Sequence, residues 1–207
     1  MNYNSLLSNF IVLEETFLQN QYGWLVDKLK PGTTALDIGA NIGDSAIYLA
    51  MQPKIQKIYS YEPYPFLYKH GKKYVDDSTF KKKIVFRNAG VSNVPAYIHI
   101  PEKEGDVDSE LKDFKHGRKI EVLAINDILG KLKNVIIKCD TEGSEHDIFT
   151  AETNLKNVYR MQIEYHHGPR NLPSILKSKG FKVKVKKVTH PESKVGEVGW
   201  IFAEKKS

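Results

Sequence analysis

Short apolar runs alternate with helical segments along most of the chain. The apolar runs predict strands at residues 33–39, 55–63, 83–86, 134–139 and 159–165. Apolar positions at helical spacing predict helices that follow residue 43 and at residues 65–75, 144–150 and 172–179. Because strands that alternate with helices have both sheet faces covered, this order predicts a doubly wound, mostly parallel α/β sheet.

The two ends of the chain depart from this alternation. Residues 10–29 space their apolar positions as an amphipathic helix or a pair of helices would, and Pro31-Gly32 then ends that segment. Residues 181–188 and 199–203 predict two final strands joined by a polar turn. We therefore expect an N-terminal helical segment and a late, C-terminal antiparallel strand.

Residues 96–129 carry weaker patterns. Residues 96–100 (AYIHI) predict a short strand beside the sheet, and residues 122–129 (VLAINDIL) predict a short helix. Residues 101–117 are charged, contain glycine and have no apolar period. That segment is either a mobile loop over a site or a plain surface excursion.

The length of the chain fits one domain. Its 207 residues lie within the roughly 250 that a single hydrophobic core serves. We expect residues 1–30 to form a helical extension on an α/β core of residues 31–207. With 41% hydrophobic and 27% charged residues, the composition is that of an ordinary soluble globular protein.

Several features predict a cytoplasmic location. The lone Cys139 has no partner for an internal disulfide. The N-terminal residues lack a basic segment before an apolar core, which argues against a signal peptide. No apolar run approaches the roughly 20 residues that cross a bilayer, so we expect no membrane association.

The net charge of +6 comes partly from lysine groups at residues 81–83 and 182–187. Such groups either attract a polyanion such as RNA or keep edge strands and loops soluble, and the second explanation is the more common one. The charge alone therefore makes nucleic acid a less favoured partner.

The turn after the first predicted strand is built for a polar ligand. In the stretch ALDIGANIGDSAIYLA, residues 35–50, Gly39 and Gly43 flank a turn that precedes a helix. Asn41 stands where a dinucleotide-binding fingerprint needs its middle glycine, which counts against a nicotinamide cofactor. Asp37 would repel a pyrophosphate but could face an ammonium group, directly or through water.

A second acid, Glu62, ends the next predicted strand. A carboxylate at that position can accept hydrogen bonds from both hydroxyl groups of a ribose, although a surface acid beside the next helix would give the same pattern. Together with Asp37, it indicates a nucleoside with a cationic, amino-acid-like tail. S-adenosylmethionine (SAM) is such a molecule.

Four stretches resemble the FkbM-type SAM-dependent methyltransferases, a family of Rossmann-like methyltransferases. In chain order they are ALDIGANIGDSAIYLA, YSYEPYPFLYKHGKKYV, FRNAGVSN and VIIKCDTEGSEHDIF. The last contains D-x-E-G-x-E at residues 140–145, which is the most specific of the motifs. The resemblance spans about residues 30–180.

The resemblance implies a seven-stranded methyltransferase sheet that binds SAM at the turns after its strands. The methionine end would lie at the DIGANIG turn, the ribose at Glu62 and the adenine at the loop of residues 88–90. The implied cofactor-binding residues are Asp37, Gly39, Ala40, Asn41, Gly43, Glu62, Pro63, Asn88, Ala89 and Asp140.

Acids and histidines follow two later strands at the same expected edge. Asp140 comes first after residues 134–139, where open α/β sheets bind ligands, and is placed to touch cofactor or acceptor. Glu142 and Glu145 could serve catalysis or complement the dipole of the next helix. His166 and His167 follow Glu164, and alternation sends them to opposite sides, so one of them could act as a neutral base.

These residues give three candidates for catalysis, namely Asp140, Glu142 and His166. Asp140, Glu142 and a histidine could also supply oxygen and nitrogen ligands to a metal. No HxxxH or CxxC spacing supports that alternative, so we expect no metal. Cys139 is expected to pack as a small apolar residue.

The favoured function is SAM-dependent O-methylation of a small-molecule or glycan hydroxyl, because the resembled family is associated with it. The alternatives are an RNA methyltransferase that uses the basic surface and a SAM-binding module that has lost catalysis. Against base N-methylation, residues 140–143 are DTEG where an NPPY-like motif would stand. A nicotinamide-dependent reductase is a further alternative at the level of fold.

Overall fold

The computed structural model describes residues 11, 13–101, 113–188 and 196–205. The strands are β1 (Thr33–Ile38), β2 (Ile55–Tyr61), β3 (Ile84–Arg87), β4 (Gly90–Ser92), β5 (Ala96–Ile100), β6 (Arg118–Ala124), β7 (Val135–Cys139), β8 (Val158–Tyr165), β9 (Phe181–Val188) and β10 (Val198–Lys205). The helices are α1 (Gly23–Val26), α2 (Asp44–Ala50), α3 (Pro65–Asp77), α4 (Ile125–Leu129), α5 (Glu145–Ile148) and α6 (Leu172–Ser178).

Seven strands form the main sheet, in the order β3-β2-β1-β7-β8-β10-β9. Neighbours from β3 to β8 pair in parallel, whereas β10 pairs antiparallel with both β8 and β9. The predicted doubly wound α/β sheet with its late antiparallel strand is therefore confirmed. The strand order reverses beside β1, which is where open α/β sheets bind ligands.

The two faces of this sheet pack against two separate apolar clusters. Leu36 and Ile38 of β1 belong to one cluster, while Ala35 belongs to the other. Ile137 and Ile136 of β7 divide in the same way. Successive residues of a strand point to opposite faces, so the continuous apolar runs in the sequence reflect burial on both sides.

A second, three-stranded sheet has the order β4-β6-β5. The predicted strand at residues 96–100 is β5, but it pairs with β6 rather than with the main sheet. The prediction of a helix over residues 122–129 was wrong at its start, because residues 122–124 end β6 and α4 begins at Ile125. Of the expected loop at residues 101–117, residues 102–112 lie outside the described part of the chain.

As far as the structure describes it, the N-terminal segment breaks into two helical pieces rather than forming one helix. A π-helical turn spans Glu14–Leu18, and α1 follows after Asn20, whose φ is +54°. The side chain of Asn20 accepts a hydrogen bond from the Tyr48 hydroxyl at 2.5 Å, so α2 holds this break in place. Leu25 of α1 is fully buried, and Arg160 of β8 donates to the Asp27 carbonyl at 2.6 Å.

The lysine-rich strand β9 is the last in the sheet order and pairs with β10 alone among the described strands. Its lysines at positions 182, 184, 186 and 187 are exposed. Lysines on such a strand hinder edge-to-edge pairing with another chain, which agrees with the solubilising explanation of this group. Within the described residues, no helix has the length and apolar content needed to cross a bilayer.

Candidate cofactor and acceptor site

A cavity of about 490 Å³ lies at the carboxyl edge of the parallel strands. Four segments that follow strands contribute to it, after β1, β2, β3 and β7. Its volume is typical of pockets that hold small molecules and cofactors. The sequence motifs therefore lie together at one edge of the sheet, as the sequence predicts.

The turn after β1 approaches the backbone of the turn after β7. Gly39 has a φ of +75°, and a Cβ atom there would lie only 1.7 Å from the Asp140 carbonyl oxygen. Gly43, with a φ of +85°, caps the start of α2. Gly39 is thus needed both for its left-handed backbone and for the close contact with the segment that follows β7.

Glu62 is held at the cavity wall by two backbone donors. The Asn41 N–H donates to its Oε2 at 2.8 Å, and the Tyr64 N–H donates to its Oε1 at 2.9 Å. Burial raises the pKa of Glu62 to about 7, although both N–H donors favour the ionised carboxylate. These bonds fix the carboxylate between the turns that follow β1 and β2.

Asn88 braces the neighbouring loop rather than facing the cavity. Its Nδ2 donates to the carbonyl oxygens of Glu62 at 2.9 Å and Pro63 at 2.8 Å, and its Oδ1 is buried without a hydrogen-bond partner. Ala89 and Gly90 follow it and line the cavity. Asn88 was expected at the adenine, and the structure places its side chain behind that wall.

Lys138 is a site residue that the sequence analysis did not single out. Its Nζ lies 3.6 Å from Asp37 Oδ1 and 4.0 Å from Asp140 Oδ2, and donates to the Gly39 carbonyl at 2.5 Å. Burial disfavours its charge, but the surrounding carboxylates of Asp37 and Asp140 outweigh burial and raise its pKa. The one signal in the sequence was a lysine inside the apolar strand VIIKC.

Asp37 is more deeply placed than expected. It is fully buried, does not line the cavity, and accepts hydrogen bonds from the Ser45 hydroxyl at 3.1 and 3.0 Å. Because it also pairs with Lys138, its charge is already balanced within the protein. In this structure Asp37 therefore supports the cavity wall from behind.

Glu145 organises the segment that follows β7. It is fully buried and accepts hydrogen bonds from the Thr141 hydroxyl at 3.1 Å, the Gly143 N–H at 2.9 Å and the His166 N–H at 2.6 Å. Burial opposes ionisation, but contacts with His166 outweigh it and lower the pKa of Glu145. Of the two roles left open for Glu145, the contacts are those of a structural brace.

His166 and His167 face opposite ways, as the alternation predicted. His166 is 3% exposed, whereas His167 is exposed. The Nε2 of His166 lies 3.1 Å from Glu142 Oε2, and its Nδ1 lies 3.5 Å from Glu145 Oε1. Burial lowers the pKa of His166, but Glu142 and Glu145 outweigh it and raise the pKa to about 11.

That pKa bears on the hypothesis that His166 is a neutral base. A histidine with a pKa of about 11 keeps its proton at neutral pH, and His166 does not itself line the cavity. Carboxylates stand nearer to the cavity instead. Burial raises the pKa of Asp140 to about 6, and burial with the neighbouring Asp140 raises that of Glu164 well above its ordinary value.

The N-terminal segment contributes a wall that the motifs did not reveal. Tyr22 and the side chains at positions 15, 19 and 21 line the cavity. Thr16 in the π-helical turn is fully buried and donates to Asp44 Oδ2 at 2.6 Å. Burial raises the pKa of Asp44 to about 6, while the Thr16 hydroxyl favours its charged form. This segment lay outside the resembled stretches, so only packing could place it here.

Some of the predicted site residues line the cavity, and others do not. Those that line the cavity are Gly39, Asn41, Glu62, Pro63, Ala89, Asp140 and Glu142. Those that do not line it are Asp37, Ala40, Gly43, Asn88 and His166. Asp140, Glu142 and His166 each place a potential ligand atom within 4.8 Å of the others.

Solved structures share this architecture. TrmK of M. capricolum in complex with S-adenosylhomocysteine (SAH) has a TM-score of 0.55 at 11% identity, covering 90% of this chain and 68% of that one. Methyltransferase FkbM of Methylobacillus flagellatus has a TM-score of 0.54 at 17% identity, covering 85% and 45%. Sp1610 of Streptococcus pneumoniae, a putative tRNA (m1A22) methyltransferase in complex with SAM, has a TM-score of 0.53 at 14% identity, covering 90% of this chain and 72% of that one. These identities show the fold alone.

The sheet order, the acid after β2 and the cavity at the switch in strand order define a Rossmann-like methyltransferase. The sequence profile of the methyltransferase FkbM domain matches residues 37–183, which is more than half of the chain. The chain therefore belongs to the FkbM methyltransferase family and is a SAM-dependent methyltransferase. No curated protein matches its sequence significantly.

The donor set of the cavity fits SAM. Glu62 presents a fixed carboxylate suited to a ribose. The small residues Ala89 and Gly90 leave room for a flat ring. Carboxylates outnumber the cation Lys138 in the wall, and this excess of negative groups suits a sulfonium cation. When bound, SAM supplies a methyl group on a sulfur that is already a good leaving group. The residues of the chain then need only bind, orient and accept a proton.

Proposed function

We propose that the chain transfers a methyl group from SAM to a hydroxyl oxygen of a small-molecule or glycan acceptor. The observation that carries the proposal is a group of three carboxylates, Asp140, Glu142 and Glu164, in the cavity wall at the ends of β7 and β8. Glu62 follows β2, which lies on the other side of β1 in the sheet. With the ribose bound at Glu62, the three carboxylates would lie at the opposite end of the cavity, where the acceptor would bind.

Carboxylates at that end suit a hydroxyl acceptor for two reasons. They accept hydrogen bonds from a hydroxyl and so can orient its oxygen, and they can take its proton as the oxygen becomes nucleophilic. They also repel phosphate groups, because the nearby Lys138 is already engaged by Asp37 and the Gly39 carbonyl. A neutral or cationic acceptor with hydroxyl groups is the best match.

The experiment is methyl transfer from isotopically labelled SAM to panels of glycans, small hydroxyl compounds and unmodified tRNA. The proposal expects label in a hydroxyl compound and a strong reduction of that transfer by Glu164→Gln. Calorimetry with SAH runs in parallel. If SAH binds but no hydroxyl compound in the panels is labelled, the proposed O-methylation is overturned.

A second candidate, RNA methylation, is favoured by two observations. The exposed lysines of β9 form a basic strip, and two of the similar folds belong to TrmK and to a putative tRNA (m1A22) methyltransferase. Label that enters tRNA alone would establish this candidate and overturn O-methylation of small acceptors. If tRNA binds with an affinity that falls steeply with salt but receives no label, the interaction is charge attraction and not RNA methylation.

A further inference from the structure

The cluster of Asp140, Glu142 and His166 has the composition of a metal site. Two carboxylates and one imidazole place their ligand atoms within 4.8 Å of one another, a span that a single ion can bridge. Asp140 follows β7, and His166 follows β8. The parallel pairing of β7 with β8 therefore brings the ligands together from distant parts of the chain.

The orientation of His166 is the second, independent observation. Its side chain is 4% exposed, and its Nδ1 is buried without a hydrogen-bond partner, 3.5 Å from Glu145 Oε1. Glu145 is itself held by the Thr141 hydroxyl and the Gly143 N–H. A carboxylate behind one ring nitrogen fixes a histidine so that its other nitrogen can ligate a metal. Here that other nitrogen is Nε2, which lies 3.1 Å from Glu142 Oε2, so a cation that binds there displaces the proton between the two side chains.

The cluster is also reachable and negatively charged. The side chain of Glu142 is 39% exposed and that of Asp140 26% exposed, and both line the cavity. Among the described residues around the cluster, the carboxylates of Asp37, Asp140, Glu142 and Glu145 outnumber the cations Lys138 and His166. A cation entering from the cavity would offset that excess.

From these observations we infer that Asp140, Glu142 and His166 bind one divalent cation at the acceptor end of the cavity. Mn²⁺ is the best match, because it accepts carboxylate oxygens readily and tolerates an imidazole nitrogen. This inference rests on the proposed O-methylation for its purpose. A divalent cation beside the acceptor would lower the pKa of the acceptor hydroxyl, so that its proton leaves to Glu164 or solvent. The oxygen then bonds to the methyl carbon, and the electron pair of the broken C–S bond stays on sulfur.

The experiment measures Mn²⁺ binding to the full chain, first stripped with a chelator and then saturated with SAH, by electron paramagnetic resonance. We expect one bound ion per chain and a nitrogen coupling from His166 that disappears in His166→Gln. Glu142→Gln, at a position that is 39% exposed, should weaken Mn²⁺ binding by about tenfold or more. Glu121→Gln, an exposed carboxylate paired with Arg87, is the matched control and should leave Mn²⁺ binding unchanged.

The outcomes separate the metal site from the proposed function. Absence of Mn²⁺ binding to the SAH-loaded chain, or equal Mn²⁺ affinity in Glu142→Gln and Glu121→Gln, overturns the metal site. Methyl transfer to a hydroxyl compound that persists at full rate with chelator present leaves O-methylation standing and overturns the role of the metal in that transfer. Mn²⁺ binding at the cluster without any transfer to hydroxyl compounds supports the site while the proposed function fails.

Discussion

Lys138 Nζ lies 3.6 Å from Asp37 Oδ1, and both side chains are almost or entirely excluded from solvent. The pair connects the neighbouring strands β1 and β7 beneath the turn that follows β1. Removal of one partner from a buried ion pair leaves an uncompensated charge, which is strongly destabilising.

We therefore expect Lys138→Met to lower the free energy of unfolding by about 3–5 kcal/mol, as urea denaturation would measure. The control is the double variant Asp37→Asn with Lys138→Met, in which the Ser45 hydroxyl can still donate to residue 37. The double variant should lose less stability than the sum of the two single variants. Simple additivity would show that the pair is not energetically coupled.

Glu62 should give cofactor binding a pH dependence near neutrality. Burial raises the pKa of Glu62 to about 7 in the folded protein, above the ordinary value of 4.5. The protonated side chain therefore contributes to the stability of the fold at low pH, and that contribution is lost as pH rises through about 7. Ribose hydroxyls donate to the ionised form. SAH affinity should therefore be up to about tenfold weaker at about pH 6 than at about pH 8.

Calorimetry with SAH at both pH values measures this effect, and Glu62→Gln is the control. The amide does not titrate in this range, so the variant should bind SAH more weakly but lose the part of the pH dependence that belongs to Glu62. Asp44 and Asp140, with pKa values of about 6, remain in both proteins. An identical pH profile in the two proteins would contradict the assigned role.

Thr16 should hold the N-terminal segment on the cavity. Thr16→Val removes the hydroxyl that donates to buried Asp44 at 2.6 Å, and the loss of a hydrogen bond to a charged group should destabilise by about 1–3 kcal/mol. Because this segment lines the cavity, SAH should also dissociate faster in stopped-flow measurements. Thr16→Ser keeps the hydroxyl and should stay close to the unchanged protein. Equal effects of valine and serine would assign the loss to packing alone.

Gly39 and Gly180 allow backbone strain to be separated from steric conflict. Their φ values are +75° and +86°, but a Cβ at Gly39 meets the Asp140 carbonyl oxygen, whereas one at Gly180 meets nothing within 4 Å. Gly180→Ala should lower the free energy of unfolding by only about 1–2 kcal/mol. Gly39→Ala should abolish SAH binding and lower the midpoint of thermal unfolding much further. Similar losses for both variants would mean that φ alone matters at Gly39.

Several elements follow from local sequence with little help from tertiary contacts. The helix at Pro65 begins where the proline predicts, and α6 ends before Gly180 as expected. The buried runs of β1, β7 and β8 were predicted within a residue or two of their bounds. The structure also gathers Glu62, Asn41 and Asp140 at one edge, because parallel strands place their following turns together.

The pattern was least informative where partners lie far along the chain. Strand β6 was taken partly for a helix because its pairing with β4 and β5 is set by tertiary contacts. Asp37, Asn88 and His166 do not line the cavity, a difference that depends on strand packing. Lys138 gained its role only when β1 and β7 came side by side.

The sequence by itself determined the class of fold, the glycine-containing turn after β1 and the acid that follows β2, because those features depend on local periodicity and on residues near each other in the chain. The tertiary structure alone decided which of the acids and histidines touch the cavity and which brace it. The physical reason is that burial and charge pairing, as in His166 between Glu142 and Glu145, arise only when separate strands pack together.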